Sequence, residues 1–513
     1  ACGLLRAASA ARPFAPSSSS ARCRAALSSS RRRRRRAARV VDVSARAVID
    51  VENDDEEERF PPPPPPSLGP GPLPLLDPTK GYTHVSPGVC DACANDVDAR
   101  IAWVALLLGQ LPSHRANATR TRDMLVGEGK LEDAETFMDR YALWERDYEA
   151  YLASVSLDDK APGEGATLLD MVREKERLLR ARGFDDLFAG MKAEENEIAT
   201  ALYRPIGLEI DDIWEPTPGA WYGPGEHPDP NAKANMIRAV IECCLAGNLF
   251  DAGSASAVQR IMFCEDGDPD DPDDAAEECK YVLDADALAE TFAKARERVS
   301  HEKSGGWRFD SLSRVVERCT REKDVEKKIA PGWRRVLIFC DNAGADVMGM
   351  TMLAKALAAV GGKGTKVALV ANDTAALNDV TYEELDEYLR AVTRRGGEFY
   401  DGDPILGAQM NGNMVAAVNS GQDSTLLNLN NCGSELNDWV NMQFQQVPAG
   451  DDWLIVLDGM GRSLESNWDA YKYVKDGVNV LNLAMVKSEI NARRLDAEVY
   501  DCVVRLRRGG DPE

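Results

Sequence analysis

The sequence predicts an α/β protein in which a doubly wound, mainly parallel sheet carries helices on both faces and follows a helical amino-terminal subdomain. After Pro331, short apolar runs alternate with longer segments of helical pattern, which is typical of parallel strands joined by right-handed crossovers. From about Val89 to Val325, apolar residues instead recur at three- and four-residue spacing, which indicates helices. We therefore predict a helical subdomain over residues 81–330 and an α/β subdomain over 331–513, the two together forming one integrated unit.

The helical subdomain contains several segments that show one apolar face. These segments are 102–111, 137–152, 168–179, 234–245 and 286–299. Between the last two, residues 265–278 form an acidic run that contains Pro269 and Pro272. An EF-hand calcium loop requires a tight turn at a glycine, and the two prolines oppose that turn. The acidic run is therefore interpreted as a solvated surface insertion.

The α/β subdomain contains apolar runs that we interpret as strands. They cover residues 336–340, 367–371, 415–419, 454–457, 480–486 and 499–506, with helices at 347–360 and 382–392. Because nearly every residue in these runs is apolar, we expect helices to cover both faces of the strands. That is the environment of a strand in a doubly wound sheet.

The amino-terminal part of the chain differs in composition from the rest. Residues 1–41 contain 11 Arg and no Lys, Asp or Glu, and residues 31–36 are all Arg. Residues 1–45 are therefore predicted to be an organellar transit peptide without fixed structure, which favours a plastid location, with mitochondrion or cytoplasm as alternatives. A nucleic-acid-binding arm is the other interpretation of the Arg run. Residues 46–80 are acidic and then rich in Pro, so we expect an extended linker outside the core.

Charge, apolar content and cysteine spacing exclude several classes of function. The formal net charge is −24, and without the 11 amino-terminal arginines the remainder carries about −35, so phosphate backbones would repel it. Nucleic acid is therefore not an expected partner, and no segment approaches the ~20 apolar residues of a membrane span. The 12 cysteines form no disulfide framework. Cys90 and Cys93 have zinc-ligand spacing, but the second ligand pair of a structural zinc site is missing.

Polar side chains follow the predicted strands at the points where the strands end. Asp341 and Asn342 follow the first strand, Asp379 lies after the second, Asp458 ends the fourth and Lys487 follows the fifth. The carboxyl ends of parallel strands meet at one edge of a sheet, where ligands bind in the crevice. Close carboxylates repel each other unless a cation joins them, and carboxylate and amide oxygens suit Mg²⁺ or Mn²⁺. Asp341, Asn342 and Asp379 are therefore predicted to bind a metal ion.

A glycine-containing loop and two cations predict a phosphate beside this metal. Gly459 and Gly461 let backbone amides approach a ligand, and Arg462 offers donors that match phosphate oxygens. Lys487 follows a long apolar strand, where an ammonium group is costly unless an anion lies nearby. A turn with a solvated Arg462 and a strand that ends at the surface with an exposed Lys487 are the alternatives. Because Arg462 and Lys487 follow neighbouring strands, a phosphate site is favoured over these alternatives.

These motifs resemble the metal-dependent damage-control phosphatases. The resemblance is to the subfamily with a Glu-Gly-Met-Gly-Arg motif, which includes plant phosphatases and the phosphatase domain fused to a vertebrate pantothenate kinase isoform. It extends over nearly all of the chain after the linker. The matching segments, in the order of the family, are 183–184, 194–196, 246–253, 341–346, 377–381, 458–462, 485–487 and 500–503.

The resemblance implies a metal-dependent phosphatase that acts on small phosphate monoesters of damaged or surplus metabolites, such as phosphopantetheine and its oxidised derivatives or sugar phosphates. It implies that Asp341, Asn342 and Asp379 hold one divalent cation, Mn²⁺, Co²⁺, Ni²⁺ or Mg²⁺. Arg462 and Lys487 would act with Asp341 and Asp379 in catalysis, with either a water molecule or Asp341 as the nucleophile. The residues implied to contact substrate are Asp346, Asp458, Gly459, Met460, Gly461, Arg462, Lys487, Asn248 and Asp251.

Two departures from the subfamily pattern leave the substrate open. Asp458 stands where the motif has Glu, and residues 420–425 replace a Ser-Gly-x-Asp-Leu-Pro segment. A non-catalytic sensor of phosphorylated metabolites is one alternative, which the two departures favour. An S-adenosylmethionine-dependent carboxyl methyltransferase is the other. Against it stands the lack of a Gly-x-Gly-x-x-Gly loop after any predicted strand.

Overall fold

A computed structural model describes most of the chain after the linker. The described residues are 67–84, 96–156, 165–214, 231–249, 285–322, 331–362, 364–397 and 400–512. Several sequence predictions lie outside these residues. They are the transit peptide, the linker up to residue 66, the pair Cys90 and Cys93, the acidic run 265–278, and Asp251.

The apolar runs of the α/β region form one sheet. Its strands are β1 (Phe309–Asp310), β2 (Arg335–Phe339), β3 (Lys366–Ala371), β6 (Val415–Asn419), β7 (Trp453–Asp458), β8 (Asn479–Met485) and β9 (Cys502–Arg508), while β4 (Arg395–Gly397) and β5 (Tyr400–Asp401) form a separate antiparallel pair. The order across the sheet is β1–β9–β8–β7–β2–β3–β6. Neighbouring strands from β6 to β8 are parallel, and only β9 pairs antiparallel with β8 within the described sheet.

The strand order reverses at β2. From β2 the chain moves to β3 and β6 on one side, and it later returns to β7 and β8 on the other side. In open α/β sheets, the crevice outside the carboxyl ends of the strands at such a reversal is where ligands bind. The fold therefore predicts a ligand site at the loops that follow β2 and β7.

Helices cover both faces of the sheet. Those of the α/β region are α9 (Leu312–Thr320), α10 (Ala345–Gly361), α11 (Tyr382–Thr393), α12 (Pro404–Asn411), α13 (Ser434–Phe444), α14 (Ala470–Tyr473) and α15 (Glu489–Leu495). In β2, Val336 and Ile338 join one hydrophobic cluster, whereas Leu337 and Phe339 join another. Because side chains alternate between the faces of a strand, two apolar sets on one strand require cover on both sides.

The amino-terminal half of the described structure is helical. Its helices are α1 (Val97–Gly109), α2 (Leu111–Gly127), α3 (Leu131–Ser156), α4 (Leu168–Ala181), α5 (Ala189–Trp214), α6 (Ala232–Leu249), α7 (Ala285–Val299) and α8 (His301–Ser304). A capping box begins α4, in which Thr167 and Asp170 satisfy each other's backbone N–H groups. Buried aromatic residues, among them Trp144 and Tyr148, fill a core that α3 and α4 share.

Helices α6 and α10 approach each other closely, and two glycines make this approach possible. A methyl group at Gly247 would lie 2.4 Å from the Ala345 carbonyl oxygen, and one at Gly349 would lie 2.8 Å from Cys244 Cα. Neither distance leaves room for a side chain. This close packing places the end of α6, including Asn248, beside the start of α10. The loop that follows β2 leads into α10 at the same point.

The structure corrects the predicted extent of the linker. Leu73, Leu75 and Leu76 are buried in the cluster on one face of the sheet. Backbone hydrogen bonds fix the same segment, since Gly71 N–H donates to Cys432 O at 2.9 Å. The expectation of an extended linker as far as residue 80 is therefore wrong for residues 71–76. Leucines interrupt the prolines there, and their burial favours packing over an extended chain.

The predicted fold class is confirmed by the sheet and its helices. The six predicted strands begin and end within three residues of those observed. Helices α2 and α5 lie almost wholly outside the five segments singled out as helical within residues 81–330. Helix α2 is largely polar, and α5 contains Pro205, a residue that normally interrupts a helix. Within the described ranges, no helix combines the length and the apolar character needed to cross a bilayer.

Candidate active site

Backbone pairing brings the predicted metal ligands together. The Val380 N–H group donates to the carbonyl oxygen of Asp341 at 2.9 Å. Asn342 and Asp379 pair with each other as an isolated antiparallel bridge. These contacts join the loop after β2 to the loop after β3 at the edge of the sheet. Asp341, Asn342 and Asp379 thus lie in one place, and all three are buried.

Asp346 lies in the first turn of α10 and connects the loop to the helical region. Its Oδ2 atom accepts hydrogen bonds from the backbone N–H of Asn342 at 3.3 Å and from Asn342 Nδ2 at 3.1 Å. Asn248 Nδ2 also donates to it at 3.3 Å, and Asn248 Oδ1 accepts the Met485 N–H at 3.0 Å. One amide side chain from α6 therefore links the acid on α10 to the end of β8.

Arg462 lies between two of the predicted metal ligands. Its guanidinium donates Nη1–H to Asp341 Oδ1, and its Nη2 lies 2.9 Å from Asp379 Oδ2. Nη2 also donates to Asn372 Oδ1 at 3.2 Å. The side chain is 2% exposed, so the alternative of a solvated Arg462 in a turn is wrong. The contacts with carboxylates offset the free-energy cost of removing the guanidinium from water.

The loop that presents Arg462 begins at Gly459, which follows β7 directly. Residues Met460–Glu465 form one π-helical turn. Gly459 has φ +77°, and a methyl group on it would lie 1.8 Å from Asp341 Oδ2. At Gly461 a methyl group would lie 2.8 Å from Thr425 O. Each glycine therefore makes a close approach that a side chain would block.

Negative charge exceeds positive charge around Arg462. Asp341, Asp346, Asp379 and Asp458 are all buried. Burial raises the pKa of Asp379 to about 7, although Arg462 opposes the shift. Burial also raises the pKa of Asp458 well above its ordinary value, and the charges of Asp346 and Asp341 add to that effect.

Asp458 lies close to the predicted metal ligands. Its Oδ2 accepts the backbone N–H of Asp341 at 3.4 Å. Its Oδ1 is buried and has no hydrogen-bond partner among the described residues. A buried carboxylate oxygen without a donor is costly, and a bound cation or a proton would relieve that cost. The shorter Asp in place of the subfamily's Glu is therefore accommodated inside the cluster.

A divalent metal ion fits this cluster by its chemistry. The donors are carboxylate and amide oxygens, which hard cations prefer, and the negative charge exceeds that of one guanidinium. Within the described part of the chain, no group of three or more His, Cys, Asp or Glu side chains is arranged as a metal site. Asp341 and Asp379, with the amide oxygen of Asn342, are the residues that would hold the metal.

Lys487 follows β8 at the same edge of the sheet. Asp458, the last residue of β7, pairs with Leu483 of β8, so Lys487 lies four residues beyond that pairing. Backbone hydrogen bonds of Val486 with Tyr500 and Asp501 fix its position. The Lys487 side chain is half-buried. Met460, at the start of the π-helical turn, packs beside the small cluster that contains Val486.

Lys175 on α4 is a charged residue near the site that sequence reasoning missed. Its side chain is 1% exposed. Burial lowers its pKa, whereas the negative charges of Glu176, Asp379 and Glu465 act in the opposite direction. The sequence did contain a signal, since Lys175 interrupts the apolar face of 168–179 at helical spacing.

Asn372 and Glu465 were also missed. Asn372 follows β3 directly, and its Nδ2 donates to Asp379 Oδ2 at 3.1 Å. Glu465 ends the π-helical turn, where its Oε1 accepts a hydrogen bond from Asn491 Nδ2 at 3.0 Å. Asn372 stands at a strand end like the predicted ligands and could have been found by the same rule. Glu465 depends on a π-helical geometry that no sequence pattern indicated.

Comparisons with known proteins give a consistent result. A family model, the damage-control phosphatase ARMT1-like domain, matches residues 114–503. A damage-control phosphatase of Arabidopsis thaliana is 26% identical over 407 residues, which are 79% of this chain and 87% of that protein. The 4′-phosphopantetheine phosphatase of Mus musculus is 24% identical over 385 residues, covering 66% of this chain and 38% of that protein.

Longer plant proteins match as well. Pantothenate kinase 2 of Oryza sativa subsp. japonica is 27% identical over 446 residues, or 84% of this chain. The match spans 41% of the kinase, so the chain corresponds to about two fifths of that relative. A solved structure of a DUF89 family protein from Pyrococcus horikoshii gives a TM-score of 0.45 at 12% identity, over 80% of this chain and 98% of that chain.

Proposed function

The chain belongs to the ARMT1-like damage-control phosphatase family, and on that premise we propose that it is a metal-dependent phosphatase of small phosphate monoesters. The proposed substrates are damaged or surplus metabolites, such as phosphopantetheine and its oxidised derivatives or sugar phosphates. A relative named for 4′-phosphopantetheine supports the first class.

The observation that carries this proposal is the arrangement around Arg462. Its guanidinium contacts Asp341 and Asp379, and further buried acids lie beside them at the sheet edge where ligands bind. Phosphoryl transfer depends mainly on positioning and on electrostatic stabilisation of the transferring group. A site that combines surplus carboxylates with a fixed guanidinium suits that chemistry, because the acids can hold a metal and the guanidinium can contact a phosphate.

The residues have separate proposed tasks. Asp341, Asn342 and Asp379 would hold a divalent ion, which neutralises negative charge on phosphoryl oxygens when it is bound. Arg462 has five N–H donors, and the contacts with Asp341, Asp379 and Asn372 leave some of them for phosphate oxygens. Lys487 would add a second cation. Either a water molecule or the Asp341 carboxylate would attack phosphorus.

The loop around Gly459 and the acid on α10 would complete the pocket. The backbone N–H groups of residues 459–461 would contact the phosphate. The missing side chains of Gly459 and Gly461 make room for Asp341 and for the Thr425 carbonyl oxygen. Asp346 Oδ2 accepts one hydrogen bond from the backbone N–H of Asn342 and one from its side-chain amide, and Asn248 donates a further hydrogen bond to the same oxygen. Asp346 and Asn248 therefore support the site by orienting a proposed metal ligand.

Phosphate release by the purified chain tests the proposal. Mn²⁺, Co²⁺, Ni²⁺ and Mg²⁺ are each supplied with a panel of small phosphate monoesters. We expect metal-dependent release of phosphate that Asp341→Ala abolishes, whereas Glu387→Ala, at an exposed position on α11, retains it. Activity that persists in Asp341→Ala would overturn the assignment. Tight binding of the esters without turnover would favour the sensor, and saturable S-adenosylmethionine binding without a metal would favour the methyltransferase.

The composition of residues 1–45 supports a plastid as the proposed location, with mitochondrion and cytoplasm as alternatives. A fusion of these residues to a fluorescent protein, expressed in plant cells, tests it. Fluorescence should coincide with chlorophyll. A diffuse signal, or one that coincides with a mitochondrial dye, would reject the plastid.

A further inference from the structure

A cavity of about 580 Å³ lies between α4 and the loop of residues 422–431. Its wall includes the segment in which the sequence departs from the subfamily pattern, represented by Gln422, Asp423 and Ser424. The opposite wall is one face of α4. The part of the chain that varies from the family therefore lines a space large enough for a small molecule.

The cavity contains a buried acceptor without a donor. Glu176 on α4 lines the cavity and is 7% exposed, and its Oε1 atom has no hydrogen-bond partner among the described residues. An unpaired carboxylate oxygen inside a protein reduces stability, and a ligand that donates a hydrogen bond would satisfy it. The charge of the neighbouring Lys175 interacts with Glu176 and also with Asp379.

The cavity lies next to the proposed reaction centre. The Ser424 carbonyl oxygen accepts a hydrogen bond from Asn372 Nδ2 at 3.3 Å, and the same nitrogen donates to Asp379 Oδ2 at 3.1 Å. One amide side chain therefore bridges the cavity wall and a proposed metal ligand. A phosphate ester bound at Arg462 could extend past this wall into the cavity.

The charges around the cavity disfavour a second phosphate there. Arg177 pairs with Glu174 through hydrogen bonds of 2.6 and 2.7 Å, and Arg180 lies 3.7 Å from Asp423. These two arginines thus lie beside acids that also line the cavity. The whole lining contains the three arginines Arg173, Arg177 and Arg180 and the four acids Asp170, Glu174, Glu176 and Asp423. The buried Glu176 adds one negative charge, which would repel an anion.

We propose that this cavity binds the part of the substrate beyond the phosphate ester, and that Glu176 selects alcohols carrying an amide N–H or hydroxyl donor. The inference rests on the proposed phosphatase function and names a specificity-determining residue for it. Hydrogen-bonding sites discriminate strongly against ligands that lack the matching group, because the buried acceptor is then left unpaired.

Two substrates separate this inference from the phosphatase assignment. 4′-Phosphopantetheine carries amide N–H groups beyond its phosphate ester, and p-nitrophenyl phosphate carries none. Each is assayed with Mn²⁺ on the wild-type chain, Glu176→Met, Glu176→Gln and the exposed control Glu387→Met. In Glu176→Met the ratio of kcat/KM for 4′-phosphopantetheine to that for p-nitrophenyl phosphate should fall about tenfold. Glu176→Gln, which keeps a carbonyl acceptor, should recover part of the ratio, and Glu387→Met should keep all of it.

The outcomes are distinct. If the wild-type chain hydrolyses neither ester, the phosphatase function itself fails. If the wild-type chain prefers p-nitrophenyl phosphate, or if Glu176→Met leaves the ratio unchanged, the inference about the cavity fails alone. The unfolding temperature supplies a second readout, since removing an unpaired buried carboxylate should raise it. A lowered unfolding temperature with an unchanged ratio would assign Glu176 to the fold.

Discussion

The guanidinium of Arg462 contacts a carboxylate oxygen of Asp341 and a carboxylate oxygen of Asp379, and so joins the loops that follow β2 and β3. The two loops are separated in the sequence by α10 and β3, and each follows a different strand. Arg462 comes from a third loop, the π-helical turn after β7. Three strand ends thus meet at one cation, which makes Arg462 a determinant of both stability and chemistry at this edge of the sheet.

Replacing Arg462 by Met should destabilise the chain and abolish phosphate release. The substitution leaves Asp341 and Asp379 buried without their cation, and loss of one partner of a buried ion pair costs about 3–5 kcal/mol. Urea unfolding at neutral pH measures this loss. Added Mn²⁺ should recover part of the lost stability, because a metal can replace the missing positive charge.

The control for this experiment replaces an exposed, ion-paired arginine by Met. Arg146 pairs with Asp147 on the surface, with 68% of its side chain exposed. Arg146→Met should change the free energy of unfolding by less than about 1 kcal/mol. Equal stabilities of Arg462→Met and Arg146→Met would contradict the ion-pair role of Arg462.

Gly459→Ala should eliminate activity, because the added methyl group would occupy the position of Asp341 Oδ2. Gly305 offers a matched control, since its φ of +75° is close to the +77° of Gly459 and nothing lies within 4 Å of its added methyl group. Both variants carry the same backbone cost of about 1 kcal/mol. Only Gly459→Ala should reduce kcat/KM, by about 100-fold or more. Retained activity in Gly459→Ala would show that Asp341 can move without loss.

The sequence predicted the sheet well because burial on both faces leaves an unmistakable apolar run. It also placed Asp341, Asn342 and Asp379 together, since parallel strands must end at one edge. The pairing of Arg462 with two of these acids was not predictable. It depends on the π-helical turn and on the close approach of Gly459 to Asp341, which arise only when the strands are assembled.

Contributions from the helical region were harder to predict for a different reason. Lys175 and Glu176 are adjacent in the sequence, yet one interacts with Asp379 and the other lines the cavity. A charged pair on a helix ordinarily indicates a solvated face. Here both side chains are buried because α4 packs against other parts of the chain. A local sequence pattern does not indicate such long-range packing.

Stability should depend on pH through Glu176. Burial raises its pKa to about 6 from an ordinary value of 4.5. Between these values the folded chain keeps a proton that the unfolded chain has released, so rising pH destabilises the fold until the carboxyl group is ionised in both states. Relative to Glu176→Gln, the free energy of unfolding of the wild-type chain should fall by about 2 kcal/mol from about pH 4 to about pH 7.

Urea unfolding at a series of pH values checks this dependence. Glu387→Gln alters an exposed carboxylate on α11 and should follow the wild-type curve throughout. Wild-type and Glu176→Gln curves that run parallel across this range would mean that Glu176 titrates alike in the folded and unfolded states. The buried, unpaired carboxylate would then play no part in the pH response.

Lys175→Met should lower activity while raising stability. The Lys175 ammonium is buried and interacts with the charges of Glu176, Asp379 and Glu465. Burial lowers the pKa of Lys175 in spite of these acids, so the charged form is costly inside the fold, and an apolar side chain of similar length should raise the unfolding temperature. We expect the ammonium to assist phosphate binding or transfer, so kcat/KM should nevertheless fall at least tenfold, which corresponds to about 1.4 kcal/mol. Arg146→Met, which removes an exposed cation, should change neither quantity appreciably. A Lys175→Met variant that is less stable and fully active would instead assign Lys175 to the packing of α4.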